Sequence, residues 1–184
     1  MSAGGYKIWN KDGVYFISFA TVGWVDVFIR KEYKDIVIES LCHCQKERGL
    51  MLYNWCLMSN HLHLIVSAEK GDLSDILRDF KKFTSKRLIN AISEHPGESR
   101  REWMLALFKE AGAANSRNTN YQFWRQDNQP KECYSEDFIR QKVAYVHNNP
   151  VEAGTVEYAE DYLYSSARSI NESGTGLLDL DNLW

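Results

Sequence analysis

The chain has 184 residues, a formal net charge of −3, 44% hydrophobic and 26% charged residues. That length suits a single domain spanning 1–184, with a core over about 13–168. The composition is that of a soluble globular protein; it excludes a uniformly basic nucleic-acid binder but leaves room for a local basic groove. No run approaches the roughly 20 apolar residues that cross a bilayer, so no membrane partner is expected. The first ten residues have no apolar signal-peptide core, which makes the cytoplasm the expected location.

The elements follow in chain order. Residues 13–23, GVYFISFATVG, are rich in β-formers between two glycines and predict a strand. Over 28–49, Tyr33, Ile36, Val37, Leu41 and Cys44 recur at helical steps, and Gly49 is the expected stop. Residues 50–58 and 61–66 are apolar strands around a turn at Ser59-Asn60, so 50–67 is expected to be a pair of neighbouring strands. An amphipathic helix is expected over 72–93, with Leu73, Ile76, Leu77, Phe80 and Phe83 as its buried stripe and a break at His95-Pro96-Gly97. A shorter helix over 99–111 carries Trp103, Leu107 and Phe108, and 112–120 is an exposed loop. Phe123-Trp124 is expected in a short strand or extended segment. Ser135 is the N-cap of a last helix that is expected to end at Asn149-Pro150. This interleaving, with a hairpin at its centre, predicts an α+β sandwich: a mostly antiparallel sheet with helices packed on one or both faces.

Four cysteines, Cys42, Cys44, Cys56 and Cys133, match neither a zinc ribbon nor a disulfide framework. Cys42-His43-Cys44 lies within a predicted helix, where residues two apart point to different faces, so it is structural.

His61-Leu62-His63 carries more information. On a strand, residues two apart share a face, so two imidazoles would stand side by side while Leu62 and Leu64 enter the core. Paired imidazoles suit a divalent metal; two solvated or hydrogen-bonded histidines would give the same pattern. On the helix after Ser135, Gln141, Tyr145 and Asn149 share a face at four-residue spacing. Tyr145 can offer a nucleophilic oxygen and Asn149 a carboxamide oxygen as a third ligand. Spacing alone is met equally by a tyrosine that merely packs.

Arg78, Lys82 and Lys86 recur every four residues on the 72–93 helix, flanked by Lys81 and Arg87. Such a stripe can track phosphates or be a solvated face. Arg100, Arg101, Arg117 and Arg125 are further candidates for phosphate contact. Trp124 can stack on a base, though a core role is the simpler reading.

These segments resemble a known family. The run Met58-Ser59-Asn60-His61-Leu62-His63-Leu64-Ile65-Val66 is similar to the HUH motif of single-tyrosine insertion-sequence transposases. The run 145–154, YVHNNPVEAG, resembles the Y-I-h-x-N-P-V-x-A-G signature of their REP-associated tyrosine transposase branch. Asp161-Tyr162 with Tyr164-Ser165-Ser166 is similar to the branch's D-Y-x-x-S-S tail, Phe123-Trp124 to its x-W, and Phe80-Lys81-Lys82-Phe83-Thr84 with Asn90 to its K-x-y-T…N helix.

The resemblance implies a ferredoxin-like α+β sandwich, His61 and His63 as a metal pair, Tyr145 as nucleophile and Asn149 as third ligand, where the family often has the longer Gln. It implies Mg²⁺ or Mn²⁺ as cofactor. It further implies cleavage and strand transfer of single-stranded, hairpin-containing palindromic DNA through a 5′-phosphotyrosine. A monomer acting in cis is expected ahead of a homodimer. Two other readings fit the same motifs: a domesticated, non-catalytic hairpin-DNA-binding protein, and an HUH replication initiator.

Overall fold

The computed structural model describes residues 8–70, 72–115, 120–126, 128–171 and 176–183. Four strands, β1 (Tyr15–Ala20), β2 (Leu50–Leu57), β3 (His61–Ala68) and β4 (Lys131–Glu132), form one sheet in the order β2-β3-β1-β4. Every pairing is antiparallel. The helices are α1 (Lys31–Arg48), α2 (Leu73–Glu94), α3 (Arg101–Ala113), α4 (Glu136–Glu152) and α5 (Ala167–Asn171). The α+β, ferredoxin-like expectation is borne out. Among the described residues no helix is long and apolar enough to cross a membrane.

The pleat sorts the side chains. Phe19 stacks on Phe80 of α2, at 5.8 Å between ring centroids, so Tyr15, Ile17 and Phe19 face the α1/α2 layer. Phe16 lies one step out of phase and meets His63 and Tyr145 on the opposite face. Helix α4 therefore covers the other side of the sheet. A register shift between Leu52 and Asn54 lets Leu52 and Trp55 both enter the α1/α2 core, and it turns Asn54 and Cys56 toward α4.

Several boundaries and contacts differ from expectation. Phe83 is 53% exposed, not core. The buried stripe of α2 drifts around the helix to Thr84 and Leu88, which leaves Phe83 outside beneath Arg87. Thr84 Oγ1 donates to Phe80 O and accepts the indole N–H of Trp124, so Trp124 is a core residue. Phe123-Trp124 makes only an isolated bridge, between Thr21 and Trp124, and the fourth strand lies at Lys131–Glu132 instead.

Helix α4 does not end at Asn149-Pro150. It runs through Pro150 to Glu152 and stops where Gly154 adopts φ 67. Proline removes one N–H but does not forbid helix. Here Pro150 is buried, and the last turn is closed by Thr155 N donating to Pro150 O and Gly154 N to Val151 O. Asn149 is thus held in helical geometry one turn beyond Tyr145.

The turn after α2 buries a carboxylate. Glu98, with no exposed side-chain surface, pairs with Arg30 (2.9 Å) and Arg100 (3.0 Å) and accepts the Tyr33 hydroxyl at 3.2 Å. Burial alone would raise its pKa, but the hydrogen bonds from Arg100 and Arg30 outweigh it and bring it down to about 2. Stability from this clamp is complete above the unfolded value near 4.5 and is lost as pH falls toward 2. Glu98→Ala should cost about 3–5 kcal/mol in denaturant unfolding at neutral pH, because two cations lose their buried partner; an unchanged midpoint would show that the clamp is not stabilising.

Candidate active site

Strand β3 presents His61 and His63 on the face covered by α4, with ring centroids 4.6 Å apart. Their register partners are Ala20 and Ser18 of β1. The outer nitrogen of each ring is held. His63 Nδ1 lies 2.6 Å from Ser18 Oγ, and His61 Nδ1 lies 2.7 Å from Asn60 Oδ1. Asn60 is itself oriented, its Nδ2 donating to Asp26 Oδ1 (3.1 Å) and to Trp24 O (3.3 Å). Asn60 Oδ1 must therefore accept, so His61 Nδ1 carries the proton.

This leaves a lone pair on His61 Nε2, which lies 3.2 Å from Asn149 Oδ1. A ring lone pair and the Asn149 carboxamide thus converge on one space. His63 Nε2 is buried and makes no hydrogen bond. Nitrogen and carboxamide ligands of this kind fit a divalent metal, with Ser18 and Asn60 as the outer groups that fix ring orientation. No cluster of three or more His, Cys, Asp or Glu able to hold a metal occurs among the described residues, so a third protein ligand would have to be an amide such as Asn149.

Burial lowers the pKa of His61, against the opposing effect of Asn149. Burial, then the charges of His61 and Lys142, push His63 down to about 3. Both rings are neutral near pH 7, the ligating form.

Tyr145, 42% exposed, sits edge-on to His63 at 5.2 Å between centroids and to Phe16 at 5.9 Å. Lys142, one turn earlier, places its ammonium 5.5 Å from the Tyr145 ring centre and 5.0 Å from that of Phe16. His61, His63, Tyr145 and Asn149 are thus brought together. The basic stripe of α2 is not with them, because α2 lies on the opposite face of the sheet. Arg78 pairs with Asp75 and Asp79, and Arg87 with Glu39. Lys81 donates to Arg125 O and Asn128 Oδ1, both at 2.6 Å, tying α2 to those two residues. Lys82 and Lys86 are exposed. Arg100 belongs to the Glu98 clamp, Arg101 donates to His95 O, and Arg117 lies outside the described residues.

The C-terminal segment locks α4 in place. Tyr162 donates its hydroxyl to Leu57 O at 2.8 Å. Ser166 Oγ accepts from Trp55 N (2.9 Å) and meets His147 Nε2 of α4, also at 2.9 Å. The D-Y-L-Y-S-S run thereby fastens the tyrosine helix to the edge of β2.

Residues 24–111, which include the histidine strand, match the family model described as Transposase IS200 like. The chain resembles the IS200-like transposases. No curated protein sequence matches it. Among solved structures, the REP-associated tyrosine transposase bound to a REP hairpin aligns with a TM-score of 0.66 and 14% identity over 99% of this chain and 93% of that one, a likeness of fold. A protein of Deinococcus radiodurans R1 described as a possible transposase aligns with a TM-score of 0.38 and 19% identity, over 80% of this chain and 97% of that one. The family model stops before α4.

Sequence reasoning missed Ser18, Asn60 and the His147–Ser166 lock. Ser18 left a trace, as the lone polar residue within YFISFA. Burial holds His147 neutral to about 4, whereas an ordinary histidine titrates near 6.5. The unfolded chain takes up this proton first, so stability is complete above about pH 6.5 and falls as pH drops below it. In metal-free protein, urea midpoints at about pH 7.5 and about pH 5.5 should show that fall, and His147→Gln should lessen it. Equal pH slopes in the two proteins would count against a buried neutral His147.

Proposed function

We propose that this protein cleaves and rejoins single-stranded DNA beside a REP-type hairpin, using Tyr145 as nucleophile and Mg²⁺ or Mn²⁺ bound by His61, His63 and Asn149. The observation that carries this reading is the convergence of two neutral imidazoles, one with an unpartnered buried Nε2, on the residues of a single helical turn, Tyr145 to Asn149. The transposase family match over the histidine strand supports it, as does the hairpin DNA named for the structural neighbour.

When bound, the metal would supply a Lewis acid for the phosphate oxygens. The chain's own residues do the rest. Ser18 and Asn60 hold the two rings so that both Nε2 atoms point inward. Lys142, with a positive charge beside Tyr145, draws the anionic phosphate to the tyrosine side of the site. Tyr145 Oη then attacks phosphorus. The phenolic proton passes to solvent as the new Tyr–O–P bond forms and the P–O3′ bond breaks, and the leaving 3′ oxygen takes up a proton in turn. Because the phosphodiester is exchanged rather than hydrolysed, a 3′-hydroxyl of another strand can reverse the step and join DNA. Tyr145 packs on His63 of its own chain, which supports action in cis by a monomer. Lys82 and Lys86 form a second, more distant surface for phosphate contact, with Arg78, Lys81 and Arg87 beside them.

Two measurements test the reading. Wild-type protein with Mn²⁺ and a hairpin oligonucleotide should yield a covalent protein–DNA adduct on a denaturing gel, and Tyr145→Phe should yield none. An adduct from Tyr145→Phe would move the nucleophile elsewhere; hairpin binding by the wild type without any adduct would identify a non-catalytic binder instead. His61→Ala with His63→Ala should abolish Mn²⁺ binding and cleavage while leaving hairpin affinity within a few fold. Ser18→Ala, which removes an orienting group, should weaken metal binding about 10–100-fold, and Asn149→Ala, which removes a ligand, at least as much. Undiminished metal binding in the double variant would remove the site.

A further inference from the structure

Beside the histidine pair lies a cavity of about 590 Å³, lined by Trp24, Asn115, Gln122, Arg125, Gln126 and small apolar residues. We infer that it is a pocket for one unpaired nucleobase of the DNA strand, stacked on Trp24 and placed next to His61. This inference rests on the DNA-cleaving function proposed above.

Trp24 is an unusual residue to leave outside. Its indole is 54% exposed, and its backbone adopts φ 54, directly after Gly23 at φ 66. Positive φ is a true outlier for a bulky side chain, and it persists only where the surroundings hold it. They do so here. Trp24 N donates to Thr21 O, and Thr21 bridges to Trp124. Gly23 is favoured by its φ, a conformation that side-chain-bearing residues rarely adopt. The turn thus holds a flat aromatic face toward solvent instead of burying it.

The neighbours suit a base. The Arg125 guanidinium lies 5.4 Å from the Trp24 ring centre, and indole with guanidinium is the pairing on which unstacked bases settle. Gln122 Oε1 accepts from Asn115 Nδ2 at 2.9 Å while Gln122 Nε2 donates to Trp124 O at 3.2 Å, so these amides are set in fixed orientations near a base edge. The pocket is also coupled to the reacting centre. The Trp24 ring stands edge-on to His61 at 6.1 Å, and Asn60 joins the two directly, donating to Trp24 O through Nδ2 and accepting from His61 Nδ1 through Oδ1. A base on Trp24 would be registered against the same amide that orients the metal ligand.

The test combines protein and DNA changes. A DNA hairpin with single-stranded flanks is compared with the same hairpin carrying an abasic site at each flank position in turn. Affinities are measured for wild type, Trp24→Ala and Trp24→Leu, with circular dichroism to show that each is folded. At one flank position the abasic site should weaken wild-type binding roughly ten-fold, and it should add almost nothing in either variant. Trp24→Leu keeps the apolar bulk and supplies the reading if Trp24→Ala proves unfolded. Penalties that add at every position, or a variant that binds as tightly as wild type, would overturn the pocket while retained hairpin binding and cleavage leave the proposed function standing. Failure of the wild type to bind the hairpin would overturn both.

Discussion

β3 is hydrogen-bonded on both sides, to β2 and to β1, so its side chains have only two directions to take. Leu62, Leu64 and Val66 occupy the core direction without exposed surface, and this forces His61 and His63 into the other. A slip of one residue would bury two imidazoles among leucines and push leucines onto α4. The hydrophobic demand of one face therefore sets the chemistry of the other. Ser18 and Asn60 add only orientation to a placement that the pleat has already made.

Helix α4 must then meet those rings at a defined depth. Its start is set by the Ser135 cap, which accepts from Phe138 N, and its later turns by His147 against Ser166. Continuation through Pro150 matters because it keeps Asn149 on the helical surface facing His61. Charge is balanced unusually on this face. Two buried rings are kept neutral while the Lys142 ammonium stands over the Tyr145 and Phe16 rings beside them.

The elements that could be read from sequence were those with strong periodicity. The β1 run, the β2–β3 pair, α1 with its Gly49 stop and α2 all stand within a few residues of expectation. The His-x-His pair and the four-residue spacing of Tyr145 and Asn149 are local patterns, and the structure brings those four residues together. What failed depended on distant contacts. Phe83 fits a helical stripe by spacing, yet only the packing of Thr84 against Trp124 decides which residue turns inward. The Phe123-Trp124 segment lies extended beside the end of β1, with Val22 N donating to Phe123 O and Arg125 N to Ala20 O, so the extended alternative holds and the strand does not. The α2 stripe is a different case: its spacing is legible in sequence, while the ion pairs of Arg78 with Asp75 and Asp79 and of Arg87 with Glu39, and the place of α2 on the other face of the sheet, are tertiary facts. Trp24 carried no local signal at all, because its exposure follows from a turn held by residues a hundred positions away.

The return of the chain to β2 after α4 has one more effect. Leu57 N donates to Tyr164 O and Ser166 N to Trp55 O, so the outer edge of β2 is partly occupied by the molecule's own tail. At the far side, β4 is only two residues long. Open strand edges are templates for pairing with other chains, and here one is shielded and the other is short. A chain that ended before Tyr164 would uncover the donors and acceptors of an eight-residue apolar strand, and self-association through that edge, as well as a loosened helix, would follow.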